Sequence, residues 1–363
     1  MRLSQEYRKI IHQSMDLEEG GRLRAIGEKT AVSDSPVLVI GLGGSGTEAL
    51  LGVKKEIYDW TVREKRADGI YEEKPRNIEY LAIDIDPVYM HRRYRGIGLN
   101  KDELQILTMP EEWYKEDPFH GPERRFGRMF LMQNIDQIIS ALETKISRMA
   151  VGIPSTVPLY VYIITGLCGC TGGGMFLDIP YLVRKIAEEK GRSIVQNIGL
   201  FFMPDVSIAR PGIAGVEISH LCAKGFAALK ELDYLMNIEQ VGDTFEQAYG
   251  PYKVGLSAGG PPYEVCVLLS AKNKKGEYLA KGGENYELAV QSAAEMIFNF
   301  VVRDTRAGNK YDIDIYIDTA VQCLSIEGRG RSYKTMLGDH RRPVSYCYTT
   351  AGTALAKLPM IPR

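Results

Sequence analysis

A glycine-rich stretch near the middle of the chain has the composition of a phosphate-binding loop. Its sequence is Thr165-Gly-Leu-Cys-Gly-Cys-Thr-Gly-Gly-Gly-Met175, with five glycines in nine residues. Glycines let several backbone N–H groups approach one anion, and the N-terminus of a following helix adds the positive end of its dipole. The Thr171 hydroxyl can add a further donor. The stretch therefore predicts a phosphate site, and a glycine-rich surface turn is the alternative.

The segments on either side have the patterns of a strand and a helix. Residues 158–164 are apolar and β-branched, which predicts a buried strand. Residues 176–190 place apolar side chains at helical spacing beneath a charged outer face. A strand, a glycine loop and a helix in this order form a cradle for a phosphate group.

A second unit of the same kind lies near the start of the chain. Residues 36–40 predict a short buried strand, Gly41-Leu-Gly-Gly-Ser-Gly46 follows, and residues 47–60 have an apolar helical face. The Gly-x-Gly-x-x-Gly spacing also occurs in dinucleotide-binding folds, where an acidic residue follows about 20 positions later. Here that acid is Asp84, which lies much further along. An NAD- or FAD-dependent oxidoreductase is an alternative that gives no role to the central glycine stretch.

Two carboxylates end the next predicted strand. Asp84 and Asp86 follow residues 78–83, at the carboxyl edge where open α/β sheets bind ligands. Two acids one residue apart beside a phosphate loop suit a Mg²⁺ ion that is held in part through water. The alternative is that each aspartate caps the helix that follows.

The overall composition argues against several classes of protein. The chain has 363 residues, a formal net charge of −1 and 25% charged residues, which indicates neither a polybasic nucleic-acid surface nor an acidic tail. No apolar run reaches the length of a membrane span, and the charged segment 1–9 does not fit a signal peptide. We therefore expect a cytoplasmic protein with reduced thiols. Cys168 and Cys170 are expected to stand in for glycines, neither binding zinc nor forming a disulfide.

The alternation of strands and helices predicts an α/β fold. We expect a Rossmann-like, mainly parallel sheet with helices on both faces. The remaining predicted elements are strands at 193–202, 263–270 and 344–356, helices at 121–150, 217–236 and 285–302, and irregular structure at 88–118 and 237–262.

Four motifs carry a resemblance to a known family. In chain order they are Gly41–Glu48, Asp84–Pro87, Pro122–Arg128 and Cys168–Gly174. This set resembles the motifs of the tubulin/FtsZ superfamily, in particular its divergent bacterial tubulin-like members, over roughly residues 36–320. The last motif aligns with the family signature Gly-Gly-Gly-Thr-Gly-(Ser/Thr)-Gly. Two of the signature glycines are cysteines here, and Gly173 stands at the Ser/Thr position.

The resemblance implies roles for individual residues. Arg124 belongs to the motif near the γ-phosphate, and a solvated helix start is its alternative. Glu48 is placed to accept hydrogen bonds from guanine, and Tyr286 to stack on the base, although an ordinary polar residue and a core residue fit equally. Asp84 and Asp86 are the implied Mg²⁺ ligands. The implied phosphate-binding residues are Gly43, Gly44, Ser45, Gly46, Gly169, Cys170, Thr171, Gly172, Gly173 and Gly174.

The acidic segment after the central helix resembles the family's catalytic loop. Residues 304–318 contain Asp312, Asp314 and Asp318, which by this resemblance act on the nucleotide of the next subunit. The implied function is a GTPase that binds GTP or GDP with Mg²⁺ and assembles with itself, head to tail, into filaments. A non-polymerising GTP- or GDP-binding scaffold or regulator is the second possibility.

These motifs divide the chain into four parts. Family members carry a second domain after the catalytic loop, and only its first strand, within 344–356, is expected here, so that the domain is either truncated or absent. The parts are an N-terminal helical extension (1–34), a nucleotide-binding GTPase domain (35–283), a central helix (284–302) and the catalytic loop region with the start of the second domain (303–363).

Overall fold

The computed structural model describes most of the chain between residues 31 and 303, and one short segment beyond it. The predicted helix of the N-terminal extension and the predicted catalytic residues Asp312, Asp314 and Asp318 lie outside the described residues. The described ranges are 31–32, 35–68, 75–108, 123–210, 218–249, 254–272, 275–303 and 347–350.

A parallel sheet forms the centre of the described residues. Its strands are β1 (Val37–Leu42), β2 (Ile78–Asp84), β3 (Leu104–Ile106), β4 (Leu159–Gly166), β5 (Val195–Phe202), β6 (Val265–Leu269) and β7 (Cys347–Thr350). They lie in the order β3-β2-β1-β4-β5-β6-β7, and every neighbouring pair is parallel. All residues of β1, β2 and β4 are buried, as a sheet covered on both faces requires. The predicted fold class is therefore confirmed.

The helices cover the sheet in two layers. They are α1 (Gly43–Asp68), α2 (Arg124–Gln133), α3 (Ile135–Met149), α4 (Thr171–Met175), α5 (Ile179–Glu189), α6 (Pro204–Ile208), α7 (Ile218–Met236), α8 (Ile238–Val241) and α9 (Glu284–Val301). Helices α1 and α9 share one apolar core with the sheet, and α2, α3, α5 and α7 share the other. The layer of α1 and α9 is tight, because a Cβ at Gly52 would lie 2.8 Å from Cβ of Ala294.

The single helix predicted over 121–150 is interrupted near its centre and forms two helices, α2 and α3. The prediction of one continuous helix is therefore wrong. The break falls at Asn134, which is 3% exposed. Its side-chain amide donates to the carbonyls of Phe130 and Thr108, both at 2.8 Å. This side chain satisfies backbone acceptors at the end of α2 and ties the break to the segment after β3.

Two segments predicted as irregular contain regular structure. Residues 88–118 include the edge strand β3, which is only three residues long and therefore has too little periodicity to be recognised. Residues 237–262 include α8 and an antiparallel hairpin of Phe245–Tyr249 with Val254–Ala258.

The strand predicted near the C-terminus is present at Cys347–Thr350, but its place differs from the expectation. It pairs in parallel with β6, Val265 opposite Cys347. These four residues therefore extend the main sheet. The rest of the predicted strand lies outside the described residues.

The remaining short elements lie at the margins of the sheet. Ala31–Val32 pairs with Val302–Arg303, and Arg93–Tyr94 pairs with Ile97–Gly98, both antiparallel. Two 3₁₀ turns lie at Pro87–Met90 and Lys101–Glu103. In the ranges that the structure describes, no helix combines the length and the apolar composition needed to cross a bilayer.

Candidate functional site

The two glycine segments meet at the carboxyl edge of the sheet. Strands β1 and β4 are hydrogen-bonded neighbours, and the chain order of the sheet reverses between them. Helix α1 begins at Gly43, whose φ of +68° lies in the left-handed region, and α4 begins at Thr171. A Cβ at Gly43 would lie 3.0 Å from the backbone nitrogen of Gly172. The position is the switch point at which open α/β sheets bind their ligands.

The closest approach in the site is made by Gly172. A Cβ there would lie 1.9 Å from Oγ1 of Thr165 and 2.5 Å from the carbonyl oxygen of Leu42. The Thr165 hydroxyl itself donates to the Leu42 carbonyl at 3.2 Å. Glycine is therefore required at 172 by contact with β1 and β4, and not only by space for a phosphate. Gly46 is in the same situation, with its Cβ position 2.2 Å from the Ile164 carbonyl oxygen.

The end of the central glycine segment packs against α2. A Cβ at Gly174 would lie 2.2 Å from the carbonyl oxygen of Arg124, and one at Gly127 would lie 2.1 Å from that of Cys170. The Arg124 side chain donates from Nε to the Gly173 carbonyl at 2.8 Å and forms an ion pair with Glu231. Arg124 thus holds the central glycine segment in place. This role is compatible with the predicted contact of Arg124 with a phosphate.

Some backbone of both segments is open to solvent. Gly44, Ser45 and Gly174 are half-buried, and Gly169 is exposed, in contrast to the buried Gly172 and Gly173. The first N–H groups of α1 have no acceptors within the helix. An anion at this edge can therefore accept hydrogen bonds from the start of α1, aided by the helix dipole.

Asp84, at the end of β2, contacts the central glycine segment. Its side chain is buried, and Oδ1 accepts from the Thr171 hydroxyl at 3.0 Å and from the Ile85 N–H at 2.8 Å. Its second oxygen, Oδ2, is buried and has no hydrogen-bond partner among the described residues. Burial raises the pKa of Asp84 to about 6, although the hydrogen bonds from Ile85 and Thr171 lower it.

Asp86 has a different environment. It is exposed, and Oδ1 accepts from the Val88 N–H at 2.9 Å, which caps the 3₁₀ turn Pro87–Met90. The capping role that was the alternative for Asp86 is therefore present, while Asp84 caps no helix.

These two carboxylates fit a Mg²⁺ ion. Mg²⁺ prefers oxygen ligands and is often held by one or two carboxylates together with water and substrate phosphates. The buried, unpartnered Oδ2 of Asp84 supplies such an oxygen, and Asp86 supplies another from the exposed side. Within the described ranges, no group of three or more His, Cys, Asp and Glu side chains is arranged to hold a metal, which argues against an all-protein metal cage there.

Glu48 and Tyr286, predicted to contact a base, lie together at the start of α1 and α9. Glu48 is 8% exposed, and its Oε1 forms ion pairs with Arg92 at 2.8 Å and Arg210 at 3.2 Å. The Tyr286 hydroxyl donates to Oγ of Ser45 at 3.2 Å. The cluster connects the proposed base-binding residues to the first glycine segment.

The two cysteines of the central segment are buried free thiols. Cys170 has a helical φ of −65°, and the only described residue other than glycine with a positive φ is Arg95, so neither cysteine occupies a position that needs glycine. Burial raises the pKa of both Cys168 and Cys170 to about 11, which keeps the thiols protonated at neutral pH.

Three residues of the site were missed from the sequence. Thr165 directly follows a predicted strand, and its hydroxyl anchors β1. Arg92 and Arg210 lie in segments to which no sequence motif assigns a site. The position of Arg210 soon after β5, at the same carboxyl edge, was the available signal. Nothing in the spacing of Arg92 indicated its contact with Glu48.

Replacing Gly172 with alanine is expected to destabilise the fold by roughly 1–3 kcal/mol, because its Cβ would overlap the Thr165 hydroxyl. Gly169→Ala is the matched control, since its Cβ would meet nothing closer than 3.5 Å. Denaturant unfolding of the two variants and the parent measures the difference. Equal stability of Gly172→Ala and the parent would show that the close approach is absent in solution.

Replacing Asp84 with asparagine is expected to change how stability depends on pH. The folded pKa of about 6 exceeds the ordinary 3.8, so the contribution of Asp84 to stability is complete below pH 4 and is lost as the pH rises through 6. In metal-free buffer, the parent should therefore lose about 1.4 kcal/mol relative to Asp84→Asn between pH 5 and pH 7.5. Urea unfolding at both pH values tests this, with Asp86→Asn as the control for loss of an exposed carboxylate. A constant difference between parent and Asp84→Asn would contradict the burial of this carboxylate.

The sequence matches a known family over most of its length. Residues 107–361 match the family described as "Tubulin like". Among curated proteins, none matches the sequence.

Three solved structures are similar to the chain at low sequence identity. CetZ from Methanosaeta thermophila strain DSM 6194 is 12% identical with a TM-score of 0.44, and the match covers 72% of this chain and 53% of that one. The empty FtsZ dimer from M. jannaschii is 13% identical with a TM-score of 0.41, covering 83% and 61%. TubZ of Bacillus thuringiensis serovar israelensis, in GDP-form protofilaments, is 14% identical with a TM-score of 0.41, covering 84% and 61%.

This chain therefore spans between 53% and 61% of the length of these three proteins. The family match extends over well over half of the chain's own residues. The protein belongs to the tubulin-like family.

Proposed function

We propose that this protein binds guanine nucleotides and hydrolyses GTP at the carboxyl edge of β1, β2 and β4. The observation that carries the proposal is the contact of the two glycine segments with each other, together with the contact of the central segment with Asp84. A Cβ at Gly43 would lie 3.0 Å from the Gly172 nitrogen, and Thr171 donates to Asp84 at 3.0 Å. Two glycine segments in contact suit a chain of phosphates, and membership of the tubulin-like family supports guanine as the base.

The backbone of the two segments holds the phosphates. The start of α1 offers unpaired N–H groups, and the central segment faces it across the switch point. In this proposal, which the family resemblance and these positions support, the phosphates contact Gly43, Gly44, Ser45, Gly46, Gly169, Cys170, Thr171, Gly172, Gly173 and Gly174. Of these, Gly44, Ser45, Gly169 and Gly174 are the most accessible in the structure.

Asp84 and Asp86 are the residues that hold a Mg²⁺ ion in this proposal. When bound, the ion neutralises charge that develops on the transferred phosphoryl group. Asp84 must be ionised to bind Mg²⁺, and its pKa of about 6 leaves the carboxyl group mostly ionised at neutral pH. The Thr171 hydroxyl fixes one of its oxygens and leaves the other for the ion.

Hydrolysis is proposed to need a second copy of the chain. Asp312, Asp314 and Asp318 follow α9, outside the described residues, and in the proposal those of one subunit orient the attacking water at the nucleotide of the next. Catalysis then consists of positioning and charge stabilisation. A contact of this head-to-tail kind produces filaments when its rotation does not close.

One observation favours a second candidate function, a guanine-nucleotide-binding protein that does not turn over GTP. The signature has cysteines at 168 and 170 and a glycine at 173, so a hydroxyl of the family pattern is missing from the phosphate site. Such a protein would bind guanine nucleotide, and its assembly with other copies would not start GTP hydrolysis.

The proposed base preference is tested by competition. We expect GDP to displace a bound fluorescent guanine nucleotide at concentrations at which ADP and NAD have no effect. The titration is made with the full chain in the presence of Mg²⁺. Binding of ADP or NAD that equals or exceeds that of GDP would overturn the assignment.

The in-trans mechanism predicts that GTP turnover per subunit rises with protein concentration, because the site is completed only at a contact between copies. Asp314→Ala and Asp318→Ala should each reduce turnover on the order of 10²-fold and leave the affinity for GTP almost unchanged. Steady-state phosphate release over a wide concentration range, together with equilibrium binding, separates the two effects. Flat specific activity in the parent, or variants that lose affinity and keep turnover, would exclude the mechanism.

A further inference from the structure

A cavity of about 630 Å³ lies between α2, α7 and the hairpin strand Phe245–Tyr249. We call it the α2–α7 cavity. Leu177, Leu235 and Phe245 give it an apolar wall, and Gly174 of the central glycine segment also lines it. Its volume is within the range of sites that hold one small organic molecule.

The α2–α7 cavity adjoins the candidate nucleotide site without coinciding with it. None of the residues at which the glycine segments and Asp84 meet is among the described residues that line the cavity. The residues common to both are Arg124, Gly173 and Gly174. Arg124 is already engaged, because Nε donates to the Gly173 carbonyl and both terminal nitrogens donate to Glu231. The cavity therefore lies beside the central glycine segment and away from the switch point.

Cations outnumber acids in the lining of the α2–α7 cavity. The basic side chains are Arg124, Arg125, Arg128 and Lys230, and the acids are Asp178 and Glu231, so four positive charges face two negative ones. Both acids already have cationic partners in the chain. Arg124 binds Glu231, and Arg128 donates to Asp178 at 3.3 Å. The excess charge in the lining is therefore positive, which favours an anion.

Two of these cations have unused hydrogen-bond donors. One terminal nitrogen of Arg128 donates to Asp178 and to Gln247, but its Nε is buried without a hydrogen-bond partner among the described residues. The Arg128 side chain as a whole is 42% exposed, so a ligand can reach it. Lys230 has no ion pair with a described residue, and its contact is with the Phe226 ring, 5.8 Å from the ring centroid. A buried N–H without an acceptor is costly, and an acceptor supplied by a ligand removes that cost.

We propose that the α2–α7 cavity is a second ligand site, which binds a small organic anion. The apolar body of the ligand packs against Leu177, Leu235 and Phe245, and its acidic group accepts hydrogen bonds from Arg128 and Lys230. A neutral molecule of the same shape gains the apolar contacts but leaves the positive charges uncompensated. The inference does not depend on the proposed function, because none of the donors it uses is assigned to the nucleotide.

The test uses two fluorescent probes with the same rings, titrated into the full chain at low ionic strength. Anilinonaphthalenesulfonate carries an acidic group, and phenylnaphthylamine lacks it. We expect the parent to bind the anionic probe about tenfold more tightly than the neutral one, since hydrogen bonds to charged groups are the stronger kind. Saturating GDP with Mg²⁺ should leave the anionic probe bound.

Three variants locate the bound probe. Lys230→Gln should weaken the anionic probe about fivefold and leave the neutral probe unchanged, as expected for loss of one accessible charge. Arg128→Gln should weaken the anionic probe by about tenfold, because it removes the buried donor as well as the charge. Lys224→Gln is the matched control, since Lys224 lies on the same helix but does not line the cavity, and its variant should bind both probes as the parent does.

Several results would overturn the inference. Equal affinity of the parent for the two probes, or no binding of the anionic probe, would show that the cavity does not recognise an anion. Unchanged binding by Lys230→Gln and Arg128→Gln, or equal weakening by Lys224→Gln, would place the probe elsewhere. Loss of the anionic probe on addition of GDP would place it in the nucleotide site. A chain that binds the anionic probe with the expected variant pattern but binds no GDP would overturn the proposed function and support this inference.

Discussion

The close approach of the backbone at Gly172 to the ends of β1 and β4 is the constraint on which the candidate site depends. The space that a side chain would need at 172 is occupied by the Thr165 hydroxyl and the Leu42 carbonyl. Gly46 meets the Ile164 carbonyl in the same way. These contacts bring the two glycine segments together, and the parallel order of the sheet places Asp84 beside them. The geometry of the candidate site at this edge is thus a consequence of packing that admits no Cβ.

Two buried carboxylates at this edge have opposite environments. Glu48 is paired with Arg92 and Arg210, so its charge is compensated within the chain. Asp84 has no such cation, and one of its oxygens is buried without a hydrogen-bond partner in the described structure. A cation bound beside such a carboxylate stabilises its ionised form further. In the proposed function, this contrast separates the base end, where the protein supplies its own cations, from the phosphate end, where a bound cation has a place.

The sequence predicted the parts of this structure that carry a local signal. Buried strands such as β1 and β4 are continuous apolar runs, and the glycine segments that follow them stand out by composition. The three-residue β3 and the break at Asn134 were missed because each depends on contacts with distant segments. The contact of Glu48 with Arg92 and Arg210 was missed for the same reason. The sequence placed Gly172 in the phosphate-binding stretch, but the contact with β1 and β4 that also requires glycine there is visible only in three dimensions.

The central claim is that both glycine segments bind one phosphate chain, and amide hydrogen exchange of the full chain with and without GDP and Mg²⁺ tests it most directly. The account predicts that nucleotide slows exchange in residues 43–46 and 169–174 together, with a smaller effect at residues 84–88. Protection that is confined to one of the two glycine segments, or absent from both while GDP is bound, would contradict it.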